Sequence, residues 1–131
     1  IVGFPGETEE EFAETIAFCQ EIGFAKLHVF PFSPREGTPA AVMERQVPEA
    51  VKAERVRRLI AVGDELARQY REPFVGQVVP VLLEDRAPDG SMTGYTPEYI
   101  HVLAEGGEGG QLVKVRLEAL TEEGMRGTIV E

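Results

Sequence analysis

The pattern of apolar and polar positions changes once along the chain. Up to about residue 72, apolar residues recur mainly at the three- and four-residue spacing of amphipathic helices. After Glu72-Pro73 they alternate within short runs, which is typical of β-strands that bury one face. We therefore predict two parts, residues 1–73 and 74–131, and an α+β fold.

The first part predicts a β–α–β unit. Residues 1–4 and the apolar run 25–32 predict strands, with a helix between them. Thr8 and Glu11 have the spacing of a capping box, and Gly23 favours the end of a helix. Strand, helix and strand within this length of chain imply that the two strands pair in parallel.

A second, longer helix is predicted from Pro48 to about Glu72. Its apolar stripe comprises Val56, Leu59, Ile60, Gly63, Leu66, Ala67 and Tyr70. It also carries the basic residues Lys52, Arg55, Arg57, Arg58, Arg68 and Arg71. These predict a solvated face with ion pairs to Glu54 or Asp64, and a surface that contacts the RNA backbone is the alternative.

The second part predicts a small barrel. Short strands are expected at residues 78–85, 92–99, 100–105, 111–120 and 127–130. Four or five short strands in so short a segment favour a small antiparallel β-barrel of the OB-like kind. Pro80 is expected at an edge or a bulge, because proline has no N–H for a ladder.

Charge restricts the nucleic-acid hypothesis to a local patch. The chain has 13 basic and 23 acidic residues and a net charge of −10, which argues against broad, non-specific nucleic-acid binding. Within residues 74–131, Lys114 and Arg116 form a local basic pair on the same face of a strand. Tyr95 and Tyr99, in GYTPEYIHV, suit either base stacking or ordinary strand packing.

Two loops at strand ends are candidate ligand sites. GFPGET lacks the lysine and Ser/Thr of a phosphate loop, so it is either a plain turn or backbone that approaches a ligand at Gly3 and Gly6. FPFSPREGTPA is either a rigid connector or a ligand-binding loop that gathers Ser33, Arg35, Glu36 and Thr38.

The sequence offers no metal-ligand set. Cys19 lies on the apolar face of a predicted helix and is expected in the core. Neither His28 nor His101 has a partner at ligand spacing. A single cysteine favours a reducing, cytoplasmic compartment, and no apolar run is long enough to span a membrane.

Taken together, the motifs resemble the C-terminal part of the radical S-adenosylmethionine tRNA methylthiotransferases. The resemblance rests on IVGFPGETEEEF, LHVFPFSPREGTPAA, the long helix, GQVVPVLLE, GYTPEYIHV and GQLVKVRL. The β part resembles the TRAM domain of these enzymes. HVFP with SPREGTPA and GYT-x-x-Y is most similar to the branch that acts on threonylcarbamoyladenosine next to the tRNA anticodon.

This resemblance implies the last βα units of a partial α/β barrel, followed by a TRAM domain. It implies that S-adenosylmethionine contacts two strand-end segments, whose residues are Gly3, Phe4, Pro5, Gly6, Glu7, Phe32, Ser33, Pro34 and Arg35. Phe32 stands where the family pattern has tyrosine. In the TRAM-like part the implied RNA contacts are Gly94, Tyr95, Thr96 and Tyr99, to which the residue pattern adds Lys114 and Arg116.

The resemblance also implies the reaction. The complete enzyme uses S-adenosylmethionine and two [4Fe–4S] clusters to add a methylthio group to C2 of N6-threonylcarbamoyladenosine. The cluster cysteines are expected upstream, so this chain alone should hold no cluster and be inactive. Expected partners are tRNA, the missing N-terminal domains and, through an unpaired strand edge, a second copy of the fragment. The alternatives are a stand-alone RNA-binding module without catalysis and the related ribosomal-protein methylthiotransferase.

Overall fold

A computed structural model describes all of residues 1–131. The chain divides into two compact units, Ile1–Tyr70 and Arg71–Glu131. The helices are α1 (Glu9–Ile22) and α2 (Glu49–Arg71), with short 3₁₀ helices at Pro39–Val42 and Glu72–Phe74. The strands are β1 (Val78–Arg86), β2 (Met92–Tyr95), β3 (His101–Glu105), β4 (Leu112–Leu120) and β5 (Met125–Val130).

Helix α1 begins and ends as predicted. The Glu11 N–H donates to Thr8 Oγ1 at 3.1 Å, and the Thr8 N–H donates to the Glu11 carboxylate at 3.4 Å, which completes the capping box. Gly23 adopts the left-handed conformation at φ 71° and donates its N–H to the Cys19 carbonyl at 3.0 Å. Cys19 is buried in the core of the first unit, as predicted.

The two predicted strands of the first unit are reduced to one bridge. Val2 and Pro31 form an isolated parallel bridge, in which Val2 N–H donates to the Phe30 carbonyl at 2.8 Å and Phe32 N–H donates to the Val2 carbonyl at 2.6 Å. The predicted direction was right and the predicted extent was wrong. Parallel sheets are usually built from several strands covered on both faces, and no third strand pairs with these segments here. A partial α/β barrel is therefore not seen.

Helix α2 confirms the predicted bounds and corrects the predicted faces. Leu59, Gly63 and Leu66 are buried as expected, whereas Ile60 is exposed. Lys52 and Arg55 are buried, so the basic residues do not form one solvated face.

No helix in the chain combines the length and apolar character that crossing a membrane requires.

The second unit is a closed barrel with strand order β1-β2-β3-β5-β4. Four neighbouring pairs are antiparallel, and β3 with β5 is parallel. The prediction of a wholly antiparallel barrel was therefore wrong at one pair. The reason is geometric, because strands that alternate in direction around a closed ring must be even in number.

Alternate residues of the strands fill the barrel. The inward side chains are almost completely buried and include Val79, Val81, Leu83, Met92, Val102, Ala104, Val115, Leu117 and Met125. Pro80 lies opposite Lys114 of β4, and pairing of β1 with β2 begins only at Leu82. The Leu83 N–H donates to the Gln111 carbonyl, and hydrogen-bonded and non-hydrogen-bonded pairs alternate along an antiparallel ladder. Pro80, three residues before Leu83, therefore lies in a non-hydrogen-bonded pair, where its missing N–H costs no bond to β4.

Candidate functional site

The two strand-end segments of the first unit meet through aromatic rings. The Phe4 and Phe32 ring centroids are 5.4 Å apart in an edge-to-face arrangement. Gly3 and Gly6 lie at φ 81° and 86°, a left-handed backbone region that side chains rarely adopt. The backbone of this turn therefore depends on glycine at both positions.

Arg55 of α2 ties down the first of these segments. Its Nη1 donates to Glu7 Oε1 at 2.8 Å and to the Glu7 carbonyl at 3.1 Å, and the Gly3 N–H donates to the same Oε1 at 3.1 Å. The Arg55 and Glu7 side chains are only 6% and 13% exposed. Glu7, which the resemblance predicts as a cofactor contact, therefore also links Arg55 to the Gly3 N–H across this turn.

Lys52 holds the second segment from the same side of α2. Its ammonium donates to the Phe32 carbonyl at 3.2 Å, pairs with Glu49 at 2.6 Å and lies 5.7 Å from the centre of the Phe32 ring. A Cβ at Gly3 would collide with the Lys52 methylene chain. One turn of α2 therefore supports both segments, a role that the prediction of a solvated basic face missed.

The sequence does contain a signal for this buried pair. Lys52, Leu59 and Leu66 are spaced by seven residues, so they lie on one side of the helix, and Arg55 falls between them on that side. A cation in line with an apolar stripe indicates a buried partner on a neighbouring segment. Partners for Lys52 and Arg55 are supplied by Phe32 and Glu7.

An open groove of about 610 Å³ lies beside the first segment. Phe4, Pro5, Gly6 and Glu7 line it together with acidic residues of α1 and Arg45. An aromatic ring and carboxylates suit a ligand that carries adenine and a sulfonium cation. Ser33, Pro34 and Arg35 are exposed outside this groove, so the two segments share the Phe4–Phe32 contact and not one continuous lining.

The loop after the second segment is ordered by its own hydrogen bonds. Thr38 Oγ1 donates to the Arg35 carbonyl at 2.7 Å, and the Thr38 N–H bonds the same carbonyl at 3.2 Å.

Across residues 1–131, no three His, Cys, Asp or Glu side chains come together in a way that could hold a metal ion.

In the second unit, strand register brings the tyrosines and the basic pair onto one surface. Leu82 of β1 lies opposite Tyr95 of β2 and Leu112 of β4, while Pro80 and Val78 lie opposite Lys114 and Arg116. All of these side chains point out of the barrel. With Tyr99 they form what we call the outer face: Val78, Pro80, Leu82, Tyr95, Tyr99, Leu112, Lys114 and Arg116.

Tyr99 is presented on a tight turn. Thr96 N–H donates to the Ile100 carbonyl at 3.0 Å, and Tyr99 N–H donates to the Thr96 carbonyl at 2.9 Å. Tyr99 has φ 68°, an unusual value for a bulky residue, and is 83% exposed. Its ring centroid lies 5.1 Å from that of Tyr95, which in turn lies 5.3 Å from His101. A strained residue that displays an unburied aromatic ring points to a binding role.

Gly94 and Thr96 are buried residues next to the two tyrosines. Thr96 is 3% exposed, and its hydroxyl accepts from the Ile100 N–H at 3.1 Å. A Cβ at Gly94 would collide with the Leu82 carbonyl and lie 2.8 Å from Val81 Cγ1. The resemblance predicted both as RNA contacts, and that stays a prediction; in the structure both are buried and support the turn that carries Tyr99. Tyr95, Tyr99, Lys114 and Arg116 remain as exposed candidates.

Comparison with known proteins shows which family this chain is related to. Residues 73–130 match the TRAM domain. The chain is 49% identical over 123 residues to the threonylcarbamoyladenosine tRNA methylthiotransferase MtaB of Bacillus subtilis, covering 89% of this chain and 27% of that protein. The chain belongs to the tRNA methylthiotransferase family and carries its TRAM domain.

Two further relatives extend the match. A tRNA-2-methylthio-N(6)-dimethylallyladenosine synthase of Acetivibrio thermocellus is 40% identical over 134 residues, covering 99% of this chain and 28% of that protein. The MtaB protein of Thermotoga maritima is 38% identical over 125 residues, covering 95% and 29%. The chain therefore spans between 27% and 29% of the length of these three relatives, and the outer face is a surface of the TRAM domain.

Proposed function

We propose that this chain is the C-terminal part of a tRNA methylthiotransferase and that its TRAM barrel binds tRNA through the outer face. The observation that carries the proposal is the strand register, which sets Tyr95 on the same face of the barrel as Lys114 and Arg116, with Tyr99 against the Tyr95 ring. Aromatic rings stack on unpaired bases, and arginine and lysine neutralise phosphates. The local basic pair explains how a chain of net charge −10 would engage RNA.

For the complete enzyme we propose methylthiolation at C2 of N6-threonylcarbamoyladenosine next to the anticodon, in the bacterial cytoplasm. The 49% identity to the Bacillus subtilis MtaB protein supports this branch, whereas the 38% identity to the Thermotoga MtaB protein and the 40% identity to the Acetivibrio synthase do not separate the two branches. The bound cofactors, S-adenosylmethionine and [4Fe–4S] clusters, would supply the radical that activates an unreactive C–H bond. Assaying the full-length enzyme on tRNA bearing each modified adenosine separates the two branches.

Within that enzyme, the first unit would form one wall of the S-adenosylmethionine site. Phe4, Pro5, Gly6 and Glu7 are the residues of the predicted set that line a groove, and Phe32 contacts Phe4. Lys52 and Arg55 would fix the position of both segments, because they bond the Phe32 carbonyl and Glu7. This chain would orient the cofactor and not act on the substrate base, and by itself it would be inactive.

The stand-alone RNA-binding module is the second candidate. It is favoured by the closed barrel, which is a complete structural unit with its own buried core. The two readings share the outer face and differ in whether the first unit contributes to a cofactor site. Reading the coding DNA upstream of Ile1 for an in-frame CxxxCxxC distinguishes them.

Binding of labelled tRNA to the 131-residue chain tests the outer face. We expect Tyr95→Ala and Arg116→Ala to weaken binding, and Arg116→Ala also to flatten the salt dependence, because one phosphate contact is lost. Arg57→Ala is the matched control, since Arg57 is an exposed arginine of α2. If Arg57→Ala weakens binding and Arg116→Ala does not, the RNA site is the basic helix and not the barrel.

A further inference from the structure

The outer face contains a groove that is lined by both exposed tyrosines of the tRNA-binding proposal. It has a volume of about 470 Å³, and its lining includes Pro80, Leu82, Glu84, Tyr95, Tyr99 and Leu112. Leu82, Tyr99 and Leu112 are 46%, 83% and 72% exposed. Large apolar side chains that are this exposed on a small barrel indicate a binding surface for a ligand with apolar area of its own.

The charges around the groove specify which part of a nucleic acid enters it. Glu84 is the charged residue of the lining, so a phosphate in the groove would meet a carboxylate of the same sign. Lys114 and Arg116 lie outside the groove, further along β4 on the same face. A strand of RNA would therefore place its phosphates over the basic pair and turn a base into the groove.

We propose that this groove binds one unpaired guanine of the RNA, stacked on Tyr99 and held at its Watson–Crick edge by Glu84. A carboxylate only accepts hydrogen bonds, and it does so with two oxygens side by side. Guanine presents two adjacent donors, N1–H and N2–H, on that edge. Adenine and cytosine place an accepting ring nitrogen beside their amino group, and uracil flanks its one donor with two carbonyls.

The backbone around Tyr99 supports this assignment. Tyr99 lies in the turn between β2 and β3 with a positive φ, and the Thr96 hydrogen bonds hold that turn in place. Tyr95 backs the ring at 5.1 Å with a tilt of 33°, which leaves the other face of Tyr99 open. A ring that is carried on an ordered turn and contacts a second ring has less freedom to lose when a base stacks on its open face.

The inference rests on the proposed RNA-binding function and is tested on the 131-residue chain. The probes are four fluorescein-labelled heptauridylates with G, A, C or U at the central position, measured by fluorescence anisotropy. We expect the G probe to bind at least about fivefold more tightly than the U probe, and we expect Glu84→Gln to remove most of that preference. Glu118→Gln is the control, because it removes one exposed carboxylate outside the groove, on β4, whereas Glu84 lies on β1.

Tyr99 is tested separately. Tyr99→Ala should weaken all four probes by about fivefold or more, the range that loss of base–aromatic stacking gives, with an unchanged salt slope. Tyr99→Phe keeps the ring and should bind like the wild type, and Leu112→Ala tests the same groove if Tyr99→Ala does not fold. Equal binding of all four probes, or a G preference that survives Glu84→Gln, overturns the guanine assignment alone. If neither the four probes nor tRNA bind to the chain, the proposed function is overturned as well.

Discussion

At the residue scale, Arg55 and Lys52 carry the arrangement of the first unit. Both are buried cations whose partners come from distant parts of the chain: Glu7 for Arg55 and the Phe32 carbonyl for Lys52. Burial raises the energetic weight of such pairs, because a partner left behind in the interior has lost its hydration without compensation. The two strand-end segments therefore depend on α2 and not only on their single bridge.

We predict that Arg55→Ala destabilises the first unit by about 2–4 kcal/mol, because Glu7 stays largely buried with only the Gly3 N–H as a donor. Urea unfolding followed by far-ultraviolet circular dichroism, which reports mainly the two helices, measures this loss. Arg68→Ala is the control, since its ion pair with Glu65 lies on the surface, where solvent screens it, and its loss should change stability much less. Equal losses in the two variants would contradict the role given to Arg55.

A second residue-scale prediction concerns pH. Asp89 accepts hydrogen bonds from the Ser91 hydroxyl and N–H and from Arg126, which lower the pKa of its carboxyl to about 2. A carboxyl with a lowered folded-state pKa contributes stability above its unfolded pKa, near 4, and loses it as the pH falls towards 2. The barrel of the wild type should therefore lose stability between pH 4 and pH 2.

Asp89→Asn should lose less stability over that pH range than the wild type, since it has no carboxyl to protonate. Thermal unfolding at pH 5, 3 and 2 gives the comparison, with Asp85→Asn as a control that changes an exposed acid elsewhere on the barrel. Parallel pH profiles for wild type and Asp89→Asn would show that this carboxylate does not couple to folding.

At the element scale, local signals determine the helices and the barrel strands. The capping box at Thr8, the αL glycine at 23 and period-two runs after Pro73 are each formed by neighbours in sequence. The second long helix and four of the barrel strands begin and end within two residues of the predicted bounds, whereas the strand predicted at 92–99 ends at Tyr95, where a turn begins. The predicted strands at 1–4 and 25–32 failed because a parallel strand depends on other strands beside it, which local sequence does not contain. The burial of Lys52 likewise depends on a carbonyl twenty residues away.

The helix cap yields a direct prediction. Thr8→Ala should destabilise the first unit by about 1 kcal/mol, because it removes the hydroxyl that accepts from the Glu11 N–H. Thr15→Ala, in the interior of the same helix, removes a hydroxyl that bonds only the Glu11 carbonyl and should be neutral or slightly stabilising. Urea midpoints of the two variants decide between a capping role and a general effect of the substitution.

At the scale of the whole molecule, the two units differ in how completely they bury their apolar side chains. The barrel is closed, whereas the first unit leaves Ile1, Phe18, Ile22, Phe30 and Val42 more than half exposed. We predict that the 131-residue chain associates with itself through the first unit. Light scattering tests this, and a Phe30→Ser, Val42→Ser double variant should shift the sample towards monomer. A monodisperse, folded monomer of the wild type would contradict the prediction.

The central claim is that the outer face of the barrel binds tRNA, and backbone amide NMR spectra during titration with an anticodon stem-loop test it most directly. Our account predicts that the amides of residues 95–99 and 112–116 shift together, with smaller changes on β3 and β5. Shifts confined to α2, or an unchanged spectrum at saturating RNA, would contradict it.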